Sequence, residues 1–165
     1  MGGWTLQWLR YGVAIAGATD STYALVAADL NAVISVTVTG VADGYYANTQ
    51  TSAVTAVVGL GTQVLSPIPV ISGTAKVGQV LTGNTGTWDS GVTLALQWLR
   101  NGVPIAGATA ATYELKVADL GYPVALTGVA SKPGYVSITK TTDATAVVGL
   151  GQLSPIGTVT VTSDG

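Results

Sequence analysis

Histidine and cysteine, the residues that most often supply a general base, a thiolate nucleophile or a metal ligand near neutral pH, are both absent from this 165-residue chain. Its eight acids are Asp20, Asp29, Asp43, Asp89, Glu114, Asp119, Asp143 and Asp164, with no close acidic pair in sequence. Glycoside hydrolysis would need a fold that brings two of them together. Serine hydroxyls are present, but without a base partner they do not make a triad. Gly59-Leu60-Gly61 lacks the glycine spacing and the lysine of a phosphate-cradling loop and reads as linker. The chain is therefore expected to be non-enzymatic, with no catalytic, metal-ligating or cofactor-binding residue.

Asp29 and Asp119 stand at equivalent places just before a strand. Calcium takes six to eight oxygens, usually from clustered acids, and the sequence shows no such cluster. Each carboxylate is expected instead to cap a turn by accepting backbone N–H bonds. The aromatic residues divide into two sets. Trp8 and Trp98, each between Gln and Leu in mid-strand, are expected in the core, with the equivalent Tyr23 and Tyr113 packing nearby and sending their hydroxyls to a loop. Trp4, Trp88, Tyr45, Tyr46 and Tyr135 fall at turns or strand ends, where a ring packs under a loop, stacks on a sugar or fills a partner's pocket.

These residues sit in a repeat. Trp8-Leu9-Arg10-Tyr11-Gly12-Val13-Ala14-Ile15-Ala16-Gly17-Ala18-Thr19 returns ninety positions later as Trp98-Leu99-Arg100-Asn101-Gly102-Val103-Pro104-Ile105-Ala106-Gly107-Ala108-Thr109. The linker repeats too: Leu65-Ser66-Pro67-Ile68 matches Leu153-Ser154-Pro155-Ile156. Two small domains follow, residues 1–61 and 62–151, with 152–165 as a C-terminal strand. The second copy is preceded by some thirty residues of strand-like sequence, Ser66 to Ala95, whereas Met1 to Thr5 alone precede the first.

Hydrophobic residues make up 48% of the chain and charged residues only 8%, so Thr, Ser, Gly and Gln must supply most of the water-facing surface. A surface with so few charges favours contact with other subunits. Net charge is −2, with six Lys and Arg spread singly, which argues against nucleic acid. No stretch approaches the roughly 20 apolar residues of a spanning helix. Met1-Gly2-Gly3-Trp4 lacks the basic and apolar regions of a secretory signal, so the chain is either not exported by that route, or a fragment or mature form.

Short apolar or alternating runs between Gly, Asn, Asp and Pro predict an all-β chain. In the second copy the strands are Pro69–Ser72, Gln79–Gly83, Leu94–Arg100, Val103–Ile105, Thr112–Leu115, Val124–Ala130 and Tyr135–Val148, with Asn101-Gly102 as a tight hairpin turn. The first copy offers Leu6–Arg10, Val13–Ile15, Thr22–Leu25, Ala32–Ala42 and Ala47–Val58, with no counterpart of the first two. Asn31–Gly40 reads as two residues longer than Gly121–Gly128. In the tail, Thr158, Val159, Thr160, Val161 and Thr162 alternate strictly and form one strand without a domain.

Ile71-Ser72-Gly73-Thr74-Ala75-Lys76-Val77-Gly78-Gln79-Val80-Leu81-Thr82, Gly86-Thr87-Trp88 and Gln97-Trp98-Leu99-Arg100-Asn101-Gly102 resemble the bacterial Ig-like repeats found in tandem in large surface proteins and in phage structural proteins. Ile105-Ala106-Gly107-Ala108-Thr109, Thr112-Tyr113-Glu114-Leu115 and Ala118-Asp119-Leu120-Gly121 extend the resemblance. It implies two Ig-like β-sandwich modules in tandem, in which Trp8 and Trp98 fill the space between sheets. In such a sandwich the first two strands pair with the fifth, and the other four form the facing sheet. The first copy would then keep its four-stranded sheet, covered on the inner face by Thr22–Leu25 alone.

Each buried Val, Leu or Ile is worth about 1.5–3 kcal/mol, a large share of a domain stability of about 5–15 kcal/mol, so the first copy is not expected to fold alone. Three remedies are open: strands from a neighbouring chain, with Thr158–Thr162 as donor; the second domain packed over the gap; or upstream residues that were removed. The function expected is a structural subunit of a virion surface or extracellular fibre, partnered by itself or other structural subunits. The alternatives are a fragment of a secreted multi-repeat adhesin, at a cell surface, and a module that binds surface glycans.

Overall fold

Two turns with left-handed backbone fold the repeated segment back on itself. Tyr11 and Gly12 have φ of 49° and 77°, and Asn101 and Gly102 have 47° and 78°. This double positive φ matches the twist of a two-residue hairpin, which is why glycine holds the second place in both. The first turn joins β1 (Gly3–Arg10) to β2 (Val13–Ala14). The second joins β7 (Thr93–Arg100) to β8 (Val103–Pro104).

The computed structural model describes residues 2–153; the strand expected at Thr158–Thr162 lies outside the described residues. The remaining strands are β3 (Ile34–Val41), β4 (Asn48–Thr51), β5 (Val70–Ser72), β6 (Val80–Asn84), β9 (Thr112–Glu114), β10 (Val124–Ser131) and β11 (Ile138–Thr141). Single 3-10 turns occupy Ala27–Asp29 and Val117–Asp119. The fold is all-β, with three antiparallel sheets. Residues 2–63 together with 131–136 form one compact unit, and residues 64–130 together with 137–153 form the other.

In the second unit one sheet has the order β11-β10-β7-β8 and the other β5-β6-β9, the pairing that the resemblance implies. Alternate residues of each sheet meet in a β-sandwich-like core. Leu81, Trp98, Tyr113, Leu115, Val124, Leu126 and Val148 are buried there, and Ile71 and Leu96 pack at its margin. The first unit has the matching sheet β2-β1-β3-β4. Its strand β3 pairs with β1 along eight rungs, among them Trp4 with Gly40, Leu6 with Val38 and Trp8 with Val36.

Three local expectations need correction. The two copies stay exactly ninety residues apart through β3 and β10: the Ile34 N–H donates to Thr55 Oγ1 and the Val124 N–H to Thr145 Oγ1, each at 3.1 Å. Gly40 pairs with Asn48 and Gly128 with Lys140, so the two glycines stand on different rungs and neither copy carries the two-residue insertion. The long final strands are also shorter than expected. Beyond Thr51 and Thr141 the chain bonds its neighbour at intervals of three, at Ser52, Thr55 and Val58 and at Thr142, Thr145 and Val148. The Ser and Thr hydroxyls take up neighbouring N–H groups, so the ladder gives way in part to side-chain bonds.

The third correction concerns Thr22–Leu25, which is not a strand. Its counterpart β9 is one because β6 lies beside it, with Val80 opposite Glu114, Leu81 opposite Tyr113 and Thr82 opposite Thr112. Among the described residues nothing offers residues 21–25 that ladder, and no backbone group of 21–25 is bonded to another backbone group. A strand is defined by its partner, and the local sequence cannot replace one.

Candidate functional site

Side chains alternate across a strand, so Trp4, Leu6 and Trp8 of β1 share one face of the first sheet with Ile34, Val36, Val38 and Gly40 of β3. The corresponding face of the second unit carries Leu94, Leu96, Trp98, Val124, Leu126 and Gly128. There, β5 and β6 lie over it. Leu81 from β6 is fully buried, and a Cβ added at Gly83 would come within 2.1 Å of Leu126 Cδ2, so glycine lets the strand settle on that leucine.

Among the described residues nothing covers the same framework in the first unit. Leu25 is 58% exposed where Leu115 is 1% exposed. Trp8, Tyr23, Val36 and Val58 are half-buried, whereas Trp98, Tyr113, Leu126 and Val148 are buried; Ile34 alone of this set stays buried in both units. The result is a hollow of about 420 Å³ lined by Trp8, Tyr23, Leu25, Ile34, Val57 and Val58.

The walls of the hollow hold the geometry of the covered unit. The Trp8 and Tyr23 rings stack with centroids 5.8 Å apart, against 5.7 Å for Trp98 and Tyr113. Trp8 Nε1 donates to the Asp20 carbonyl and Trp98 Nε1 to that of Ala110, both at 2.9 Å. Gln7 Nε2 donates to the Ile15 carbonyl and Gln97 Nε2 to that of Ile105, both at 2.7 Å, tying each hairpin to the following turn. The walls of the two faces thus share one local geometry.

Beside this face, Asp29 is fully buried and accepts from the Val26 N–H, the Tyr23 hydroxyl and Arg10 Nε at 2.8, 3.0 and 2.7 Å. Asp119 repeats the set with Lys116, Tyr113 and Arg100. The turn-cap expectation for both aspartates holds, as does the hydroxyl reach of both tyrosines. Burial, the largest single influence on Asp29, pushes its carboxyl up, but the bonds from Val26, Arg10 and Tyr23 together outweigh it and leave the group below its ordinary value of 3.8. Burial first, and then Asp29, raises the Tyr23 phenol. The arginine partners were not anticipated; their only signal in the sequence is that Arg10 and Arg100 repeat together with the aspartates.

The five candidate contact aromatics part company. Trp4, Tyr45 and Tyr46 gather around a hollow of about 460 Å³ at the glycine-rich end of the first sheet and are 66%, 81% and 101% exposed. Trp88 belongs to the second unit, half-buried, with Nε1 donating to the Thr85 carbonyl. Tyr135 is half-buried in the first unit, beneath Lys132 Nζ at 4.3 Å from its ring centre. Among the described residues no three acidic side chains cluster as cation ligands would, and no helix is long and apolar enough to cross a membrane. No protein-family model matches the chain, and no curated protein matches it.

Proposed function

We propose that this chain is a non-enzymatic structural subunit of tandem Ig-like modules that enters a larger assembly, such as a virion surface or extracellular fibre, by having the open face of its first unit completed with β-structure from a neighbouring chain. The observation that carries this reading is the contrast between Leu25 and Leu115, equivalent residues in equivalent frameworks, one exposed and one sealed. Apolar surface of this kind gains free energy when covered, and adding a strand to an unpaired segment satisfies the backbone at the same time. The low charge of the chain removes the usual obstacle to association.

The test is to cover the face covalently. Because Gly3 corresponds to Thr93, fusing a second copy of residues 66–92 directly ahead of Gly3 supplies the counterpart of β5 and β6. Sedimentation across a concentration series is expected to show association of the native chain and a monomer for the fused one. Association that the fusion leaves unchanged would refute the reading.

A second reading, a glycan-binding module, is favoured by the gathering of Trp4, Tyr45 and Tyr46 around one hollow. Two of these rings are not demanded by the framework, since Leu94 and Val136 stand ninety positions after Trp4 and Tyr46. It predicts glycan binding that Tyr46→Ala abolishes.

A further inference from the structure

We infer that the strand which completes the first unit is Thr158–Thr162 of a second copy of this chain, lying antiparallel to residues 21–25 with Val159 opposite Tyr23 and Val161 opposite Ser21. This rests on the function proposed above and specifies its partner. In the second unit β6 occupies that place: Leu81 lies opposite Tyr113, and the Gly83 N–H donates to the Ala111 carbonyl at 2.8 Å. Among the described residues the corresponding backbone of the first unit, 21–25, has no ladder partner. Thr158–Thr162 has the five-residue length of β6 and alternates strictly, so that Val159 and Val161 face one side.

A single strand can serve because the two covering strands are unequal. β6 joins the sheet directly to β9 and sends Leu81 into the core, whereas β5 pairs only with β6 and its Ile71 packs at the core margin. Filling the β6 place therefore restores the ladder and the central apolar contact.

The decisive feature is a difference between the two receiving faces. β6 must carry glycine at its second inward position because Leu126 Cδ2 stands 2.1 Å from where a Cβ would be. In the first unit that position is Val36, which has no δ carbon. The face over Val36 thus admits a branched residue two places after the first inward one, and the tail offers Val-Thr-Val. The second unit is built for Leu-Thr-Gly, and the first for a strand like the tail.

The test uses the full chain, with sedimentation and acrylamide quenching of Trp8 fluorescence in a chain whose other three tryptophans are phenylalanine. Native protein is expected to associate and to shield Trp8. Val161→Asp, and separately Val36→Leu, should each weaken association by about tenfold or more, a margin of about 1.4 kcal/mol. Val161→Gly combined with Val36→Leu should restore most of it, a rescue that a merely misfolded Val36→Leu chain would not give.

Association that survives deletion of residues 157–165 but is lost in the fusion with residues 66–92 would overturn the tail assignment and leave the proposed function standing. Association that survives both would overturn both. A monomer with shielded Trp8 would place the tail on its own chain and overturn the second-copy assignment, and a monomer with exposed Trp8 would overturn both.

Discussion

Arg10 and Asp29, nineteen residues apart, meet at 2.6 Å with the carboxylate fully buried and the guanidinium part-exposed, and Arg100 and Asp119 repeat that meeting at 2.6 Å. In each unit the pair ties the end of a sheet strand to the 3-10 turn that follows the tyrosine. Because each carboxylate also accepts a backbone N–H and a tyrosine hydroxyl, the network is satisfied, and its loss would leave several donors unpaired.

Asp119→Ala is expected to destabilise the second unit. The Tyr113 hydroxyl and the Lys116 N–H lose their acceptor in a buried place, a cost of about 1–3 kcal/mol. Denaturant unfolding followed by fluorescence measures it.

Acid should weaken the first unit in a defined direction. The Asp29 carboxyl is held below 3.8 in the folded chain, so its contribution is complete above that value and is lost as pH falls through the lower folded value. Thermal unfolding at a series of pH values from 6 to about 2 should show this loss. In Asp29→Asn the corresponding part of the acid slope should be missing.

The matched leucines should respond unequally. Leu115→Ala is expected to cost about 2–5 kcal/mol, since it empties a sealed site. Leu25→Ala in dilute protein should stay within about 0.5 kcal/mol. Equal losses would mean that the first face is already covered in the monomer.

Gly83→Ala should destabilise the second unit by about 1–3 kcal/mol, because Leu126 must move to admit the new carbon. Adding Leu126→Val should recover part of that loss. Unfolding of the two variants side by side gives the comparison, and the same pair tests the steric argument behind the tail assignment.

Much of the fold was legible in the residues. Asn101-Gly102 announced its hairpin, because both residues tolerate positive φ, whereas Tyr11 takes the same conformation without that signal. Seven short alternating runs marked the strands of the second unit, while their order in the sheets was only what the resemblance implied. The capping role of Asp29 and Asp119 was readable because a carboxylate reaches the N–H three residues back along its own chain. Arg10 was not, since nineteen residues separate it from Asp29 and only the packing of the turn against the sheet brings them together. Gly40 and Gly128 misled, because identity of type suggested an alignment that ladder register alone could settle.

The sequence by itself determined the repeat, the hairpins, the alternation that gives each strand an inner face, and the scarcity of charge and of His and Cys. These depend on dihedral preferences and on neighbours within a few residues. Tertiary structure alone decided that residues 112–114 form a strand while residues 22–25 do not, that Trp98 is sealed while Trp8 is half-open, and that Trp4, Tyr45 and Tyr46 share a hollow. Closely similar local sequence, Thr22-Tyr23-Ala24-Leu25 and Thr112-Tyr113-Glu114-Leu115, took different states because ladder pairing and burial are supplied by distant segments. In the second unit β6 supplies them, and among the described residues of the first unit nothing does.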